Sequence, residues 1–357
     1  MHPRPLSETS DDEFSRLDAE RGARDMNHES SNVRVQFGRV LFATNFPPDY
    51  EGALQTTFNF CHTNKAKLHI LHVCKPNIGP RGGINAVTDQ DAVLVLRQME
   101  ERATGLGLSC TTRLESGIPA EKILQSIEED NIDLVVLGTS ELRGSKRGAF
   151  GLTAEQVMRK SSCPIMTVGP VAADLVPSRN LKGPVVFATD FQSVTRQAVQ
   201  VAISYCKQIS LQLRCLHVLP RSIQSSHRDH TLTVILTSAL NHLVATSSVR
   251  LEKPVCTVTY GSEISNSVVD YARQQGASLI FLGVRRDSIV SQDDSLPVVF
   301  RIITEAPCPV VVIPCDAEAD LEFTRHLAPS SVPHRPRWCS EPMSCENVCD
   351  CDLSRIP

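Results

Sequence analysis

The 357-residue chain lacks most of the features that announce a function. It has no excess of charge of one sign: 36 Lys and Arg face 40 Asp and Glu, for a net charge of -4. A general polyanion binder would show a basic surplus, so nucleic acid is not an expected partner. No apolar run approaches the ~20 residues of a membrane helix, so no membrane partner is expected either. The start, Met1-His2-Pro3-Arg4-Pro5 followed by acidic residues, lacks the charged-then-apolar shape of a secretion signal, and the expected compartment is the cytoplasm. There is no Walker A loop, no His-Glu-x-x-His and no Gly-x-Ser-x-Gly, which removes the common phosphate-loop, zinc-hydrolase and nucleophile-elbow chemistries.

Cysteine is plentiful but unpatterned. The 13 cysteines are an odd number without a signal peptide, which argues against a disulfide framework. Nine of them, from Cys61 to Cys315, fall along apolar stretches and are expected to be small core hydrophobes. Cys339, Cys345, Cys349 and Cys351 match a zinc site in number but not in spacing, because Cys-x2-Cys pairs are missing. The favoured reading is a flexible tail with incidental thiols; a redox-responsive or adventitiously metal-binding tail is the alternative. His227 and His230 alone are not expected to bind a metal.

What the chain does have is a duplication. Val40-Leu41-Phe42-Ala43-Thr44-Asn45-Phe46 returns as Val185-Val186-Phe187-Ala188-Thr189-Asp190-Phe191, and Leu71-His72-Val73 as Leu216-His217-Val218. Leu137-Gly138 returns as Leu282-Gly283, and Cys163-Pro164 as Cys308-Pro309. One offset of 145 residues relates all four pairs, for example 185 minus 40. A period this long is a whole domain rather than a solenoid unit.

Within each copy, short apolar runs alternate with amphipathic stretches. In copy one, strands are expected at Val40–Ala43, Leu68–Val73, Cys110–Leu114, Leu134–Leu137 and Pro164–Val168. Helices are expected at Asp49–Cys61, at Gln90–Thr104, after Pro119 and at Ala154–Lys160. Copy two follows with strands near 185–189, 211–218, 252–259, 278–283 and 309–313, and helices near 193–208, 230–246, 262–275 and 297–305. The pattern predicts an α/β protein of two tandem doubly wound domains, 36–171 and 183–315, each a five-stranded, mainly parallel sheet with helices on both faces. Residues 1–35 read as a disordered tail, and 316–357 as a flexible tail containing Cys and Pro. The linker around 172–183 is short, so the copies are expected to pack as an intramolecular pseudo-dimer. Pro164–Val168 and Pro309–Ile313 are candidates to pair across it; a homodimer and an unidentified protein partner remain open.

These anchors carry a family resemblance. The first strand ending in Ala-Thr-Asn/Asp-Phe, the second ending in Leu-His-Val, the Ser116-Gly117-Ile118-Pro119 step and the closing Cys-Pro strand resemble the universal stress protein domain, twice over. The resemblance implies that the residue ending strand one and the valine ending strand two approach an adenine nucleoside. It also implies a phosphate loop after strand four: Gly, two residues, Gly, nine residues, then Gly with Ser or Thr. Glycines there let the backbone approach phosphate, and a helix N-terminus favours anions. Copy one keeps Gly138 and Gly151, but has Glu141 at the middle glycine and Leu152 at the hydroxyl position. Its loop is basic and glycine-rich, with Arg143, Gly144, Lys146, Arg147 and Gly148, and Thr153 offers a displaced hydroxyl. Copy two keeps Gly283, with Arg286 and Leu296-Pro297 in the other places, and its loop holds Asp287, Asp293 and Asp294. The site implied by the resemblance is therefore Asn45, Val73, Gly138, Gly148, Gly151 and Thr153, binding ATP or another adenine nucleotide in copy one only. Asp190 is expected to cap a turn, and the repeated His72 and His217 to make a structural hydrogen bond at a strand end. The expected role is a non-enzymatic, regulatory stress-response protein. A nucleotide-free interaction scaffold is the alternative, and slow ATP hydrolysis a third reading.

Overall fold

Alternating apolar strands and amphipathic helices bury strands on both faces, and the structure follows that logic. The computed structural model describes residues 37–46, 50–74, 89–139, 151–175, 182–192, 195–223, 229–246, 254–286, 289 and 297–315. Both expected tails, the four tail cysteines, His227 and the loop 140–150 lie outside the described residues. Both repeats belong to one compact unit.

Repeat one runs β1 (Arg39–Thr44), α1 (Tyr50–Asn64), β2 (Lys67–Cys74), α2 (Asp89–Gly105), β3 (Cys110–Ser116), α3 (Pro119–Glu129), β4 (Leu134–Gly138), α4 (Leu152–Lys160) and β5 (Ile165–Val168). A short α5 (Pro170–Leu175) follows. Repeat two runs β6 (Val185–Ala188), α6 (Thr195–Ile209), β7 (Leu213–Pro220), α7 (Asp229–Ala245), β8 (Val255–Gly261), α8 (Ile264–Gln274), β9 (Leu279–Arg285), α9 (Val298–Glu305) and β10 (Val310–Cys315). Two sequence expectations are corrected. The strand expected at 252–259 begins three residues later, and the linker expected from 172 starts inside α5. A six-residue helix is too short to show a periodic apolar stripe.

The ten strands form one sheet in the order β3-β2-β1-β4-β5-β10-β9-β6-β7-β8. Pairing is parallel within each repeat and antiparallel only at the join, where Val310, Val311 and Val312 of β10 lie opposite Thr167, Met166 and Ile165 of β5. Thr167 Oγ1 donates to the Val310 carbonyl across the join at 3.1 Å, so even the buried hydroxyl is satisfied. The palindromic order is the pseudo-twofold anticipated from the repeat.

Period-two alternation divides the core between the two faces of the sheet. Phe42 and Ile70 belong to one buried cluster, Leu41 and Leu71 to the other. The first cluster is shared between repeats. Tyr205 of α6 packs on Phe37 and Phe60 of repeat one, with ring centroids 5.6 and 5.8 Å away, and on Phe281 of its own repeat at 5.5 Å. Helix α5 tightens the same join. A Cβ on Gly169 would lie 2.1 Å from the carbonyl oxygen of Ile303 in α9. Only glycine permits that approach.

Candidate functional site

In each repeat the chain crosses over in opposite directions from the central pair of strands, β1 with β4 and β6 with β9. The carboxyl ends of such a pair form a crevice between diverging connections, the usual ligand position in a doubly wound sheet.

The strand ends are shaped by the repeated Thr-Asn/Asp-Phe motif. Thr44 Oγ1 accepts the Phe46 N–H at 3.1 Å, and Thr189 Oγ1 accepts the Phe191 N–H at 3.0 Å. The turn forces both phenylalanines into left-handed backbone, at φ 71° and 61°. That conformation is unfavourable for a residue with a Cβ, by roughly 1–2 kcal/mol. Ring contacts offset it: Phe46 stacks on His72 with centroids 3.9 Å apart, and Phe191 packs on His217 at 4.7 Å. Each histidine is pinned in turn, with Nδ1 2.8 Å from the carbonyl of Thr44 or Thr189. A carbonyl only accepts, so Nδ1 donates. The paired histidines are structural braces, as their repetition on strand two led one to expect.

In repeat two the crevice is an open cleft of 310 Å³. Its floor is apolar, from Leu216, Val218 and Leu282; Thr189, Asp190 and Arg285 supply polar atoms at its edge. Asp190 does cap a turn, its Oδ1 accepting the Gln192 N–H at 3.0 Å. It also lines the cleft, a second role that the lost phosphate loop had hidden. Helix α9 enters the cleft with Pro297 at its N-cap, where the missing N–H removes one anion donor.

The 145-residue offset of the duplication relates the repeat-one candidates to this cleft. Asn45, Val73, Gly138 and Thr153 are the counterparts of Asp190, Val218, Gly283 and Val298, and all four of those line the repeat-two cleft. Asn45 follows β1, Val73 sits near the end of β2, Gly138 ends β4, and Thr153 lies half-buried in the first turn of α4. Gly151 is the α4 N-cap, with φ -75° and no side-chain capping bond. Its backbone does not require glycine, and a Cβ there would meet nothing within 4 Å. The missing side chain leaves the start of α4 open instead. Leu152, in the hydroxyl position, is 71% exposed and contributes no donor. Gly148 and the basic residues Arg143, Lys146 and Arg147 lie outside the described residues. Sequence reasoning missed Arg285 and Ile264 at the repeat-two cleft; neither belongs to a repeated motif, so no signal marked them.

Among the described residues, no group of three or more His, Cys, Asp or Glu is placed to hold a metal, and no helix is long and apolar enough to cross a membrane.

Comparison with known proteins agrees with the geometry. The universal stress protein YxiE of Bacillus subtilis is 23% identical over 146 residues, spanning 37% of this chain and 99% of its own length. The universal stress protein MJ0577 of Methanocaldococcus jannaschii is 20% identical over 157 residues, spanning 38% of this chain and 97% of its own. Both relatives are the size of one repeat. Among solved structures, a universal stress protein from Archaeoglobus fulgidus superposes with a TM-score of 0.57 at 18% identity, covering 78% of this chain and 99% of that one. A protein of unknown function from Pseudomonas aeruginosa superposes with a TM-score of 0.56 at 14% identity, covering 83% and 100%. These two likenesses concern the fold. The profile of the universal stress protein family matches twice, over residues 36–169 and 183–314, so the chain belongs to the universal stress protein family, with two family domains in tandem.

Proposed function

We propose that this chain is a non-enzymatic, regulatory stress-response protein that binds one adenine nucleotide, such as ATP, in repeat one. The observation that carries the reading is the match between the repeat-two cleft lining and the repeat-one residues Asn45, Val73, Gly138 and Thr153. Repeat one combines those positions with an uncapped α4 N-terminus at Gly151 and a basic loop, where the helix dipole and free amides favour phosphate. Repeat two offers the apolar half of such a site, but meets a phosphate with Pro297 and a loop holding three aspartates. None of the residues assigned to the site is an evident general base for hydrolysis, so the bound nucleotide acts as a conformational or assembly signal.

A scaffold with both pockets degenerate is the second reading, favoured by exposed Leu152 and by Pro297. Calorimetric titration with Mg·ATP separates the two. Binding at a single site is expected in the wild type, and Gly151→Asp is expected to abolish it by placing a carboxylate at the phosphate position. Val218→Trp, which fills the repeat-two cleft, is expected to leave it intact. Silence in the wild type supports the scaffold. Loss in Val218→Trp with retention in Gly151→Asp moves the site to repeat two.

A further inference from the structure

Strands β7 and β8 carry a pair of thiols in register. Cys215 lies opposite Cys256 across their parallel ladder. Both face the same side of the sheet, because Cys256 packs against the buried cluster to which Cys215 belongs. Neighbouring strands run about 4.8 Å apart, inside the Cα separation of roughly 4.4–6.8 Å that a disulfide spans. The two thiols already share a hydrogen bond. Cys215 is buried, whereas Cys256 is half-buried on β8, the last strand of the sheet.

The pair is asymmetric in the way that thiol oxidation requires. The hydrogen bond from Cys215 holds the Cys256 thiol below its ordinary value, against the cost of burial. The same bond, with burial, holds the Cys215 thiol well above it. The thiolate is the nucleophile, and exposure decides which thiolate an oxidant meets. Cys256 is therefore the attacking sulfur, and Cys215, beside it and still protonated, is the resolving one. Cys110 shows what is missing elsewhere: it is also half-buried and lies near Cys61, but burial pushes it up to about 12.

Repeat one acts as an internal control. The repeated Leu-His-Val aligns Leu71 with Leu216, so Ile70 is the counterpart of Cys215. The ladder partner of Ile70 is Thr112, where that of Cys215 is Cys256. One repeat thus has an aliphatic side chain and a hydroxyl at the two positions where the other has two thiols. Cys206, the remaining thiol near Cys215, differs in this respect. It repeats Cys61 at the common offset, 206 minus 61 being 145, and is a buried core residue of both copies.

We propose that Cys215 and Cys256 form a reversible redox site in repeat two, oxidised to a disulfide by a hydroperoxide and reopened by a small thiol. The Cys256 thiolate attacks the peroxide: an S–O bond forms, the O–O bond breaks, and the departing oxygen takes a proton from solvent and leaves as water or an alcohol. The Cys215 sulfur then attacks the resulting sulfenic acid. The S–S bond forms, the S–O bond breaks, and hydroxide leaves with the Cys215 proton as water. Two electrons pass from the thiols to the peroxide. The test treats the reduced full chain with hydrogen peroxide at neutral pH, blocks the remaining thiols with N-ethylmaleimide and maps the peptides without reduction. A link joining Cys215 to Cys256 is expected before any oxidation of Cys163 or Cys308, and dithiothreitol should reopen it. In Cys215→Ala, dimedone should trap a sulfenic acid at Cys256 that the wild type loses to the disulfide. Absence of the link, a link from Cys215 to Cys206, or Cys256 joined to a cysteine outside repeat two overturns the proposal. So does a link that dithiothreitol leaves intact in the native protein, or equal dimedone labelling of Cys256 in wild type and variant. If Cys215→Ala fails to fold, the wild-type map decides alone.

Discussion

Thr44, Phe46 and His72 form a closed set: a hydroxyl turns the chain, a phenylalanine accepts a costly φ, and a histidine covers it while capping the threonine carbonyl. The same set recurs at Thr189, Phe191 and His217, which explains the repetition of a polar residue pair in otherwise apolar strands. Six of the nine thiols are buried, and those of Cys74, Cys110 and Cys256 are half-buried. The nine cysteines from Cys61 to Cys315 are thiols rather than disulfides. Burial pushes the Cys163 thiol from the ordinary 9.0 up to about 11, against a hydrogen bond with Ser161 that lowers it, and pushes Cys206 up to about 12. Alkylation needs the thiolate, whose fraction at pH 8 falls about a hundredfold for a two-unit rise. Iodoacetamide labelling with peptide mapping should therefore find Cys163 and Cys206 nearly inert in the native protein at pH 8. Cys256, lowered by its hydrogen bond with Cys215, should be labelled before either. Labelling of Cys163 at the unfolded-chain rate would contradict this.

At the scale of elements, short connections and close backbone contacts fix how the repeats meet. Gly169 precedes α5 and touches the Ile303 carbonyl, while a Cβ on Gly52 of α1 would lie 2.5 Å from the Cβ of Ala173 in α5. Gly169→Ala must displace backbone. It should cost about 1–3 kcal/mol, the usual range for overpacking, and chemical denaturation reads the loss directly. Wild-type stability in that variant would mean that α5 is free to shift. Most elements were legible in the sequence because apolar runs such as Leu134–Leu137 and the Pro119 helix start carry their own signals. Helix α5 was not, being too short for a stripe. The start of β8 at Val255 was not either, since its half-buried, Thr-containing strand lacks a sharp apolar edge. The repeat-two cleft was legible where motifs repeat, at Asp190, Val218 and Gly283. It was invisible at Arg285, where the two copies differ and only packing shows the consequence.

Over the whole molecule, duplication has kept the frame and divided the sites. The strands, the Thr-Phe-His braces and the join of β5 with β10 are symmetric. The pockets are not: repeat two pairs an open apolar cleft with Pro297, where repeat one has Gly151 as the helix N-cap. The aromatic cluster around Tyr205 is shared by the two repeats, joining Phe37 and Phe60 of one to Phe281 of the other. The most direct test of this division is native mass spectrometry of the full chain incubated with Mg·ATP. The account predicts a mass increase of one adenine nucleotide per chain, lost in Gly151→Asp. An unshifted mass, or the addition of two nucleotides per chain, would contradict it.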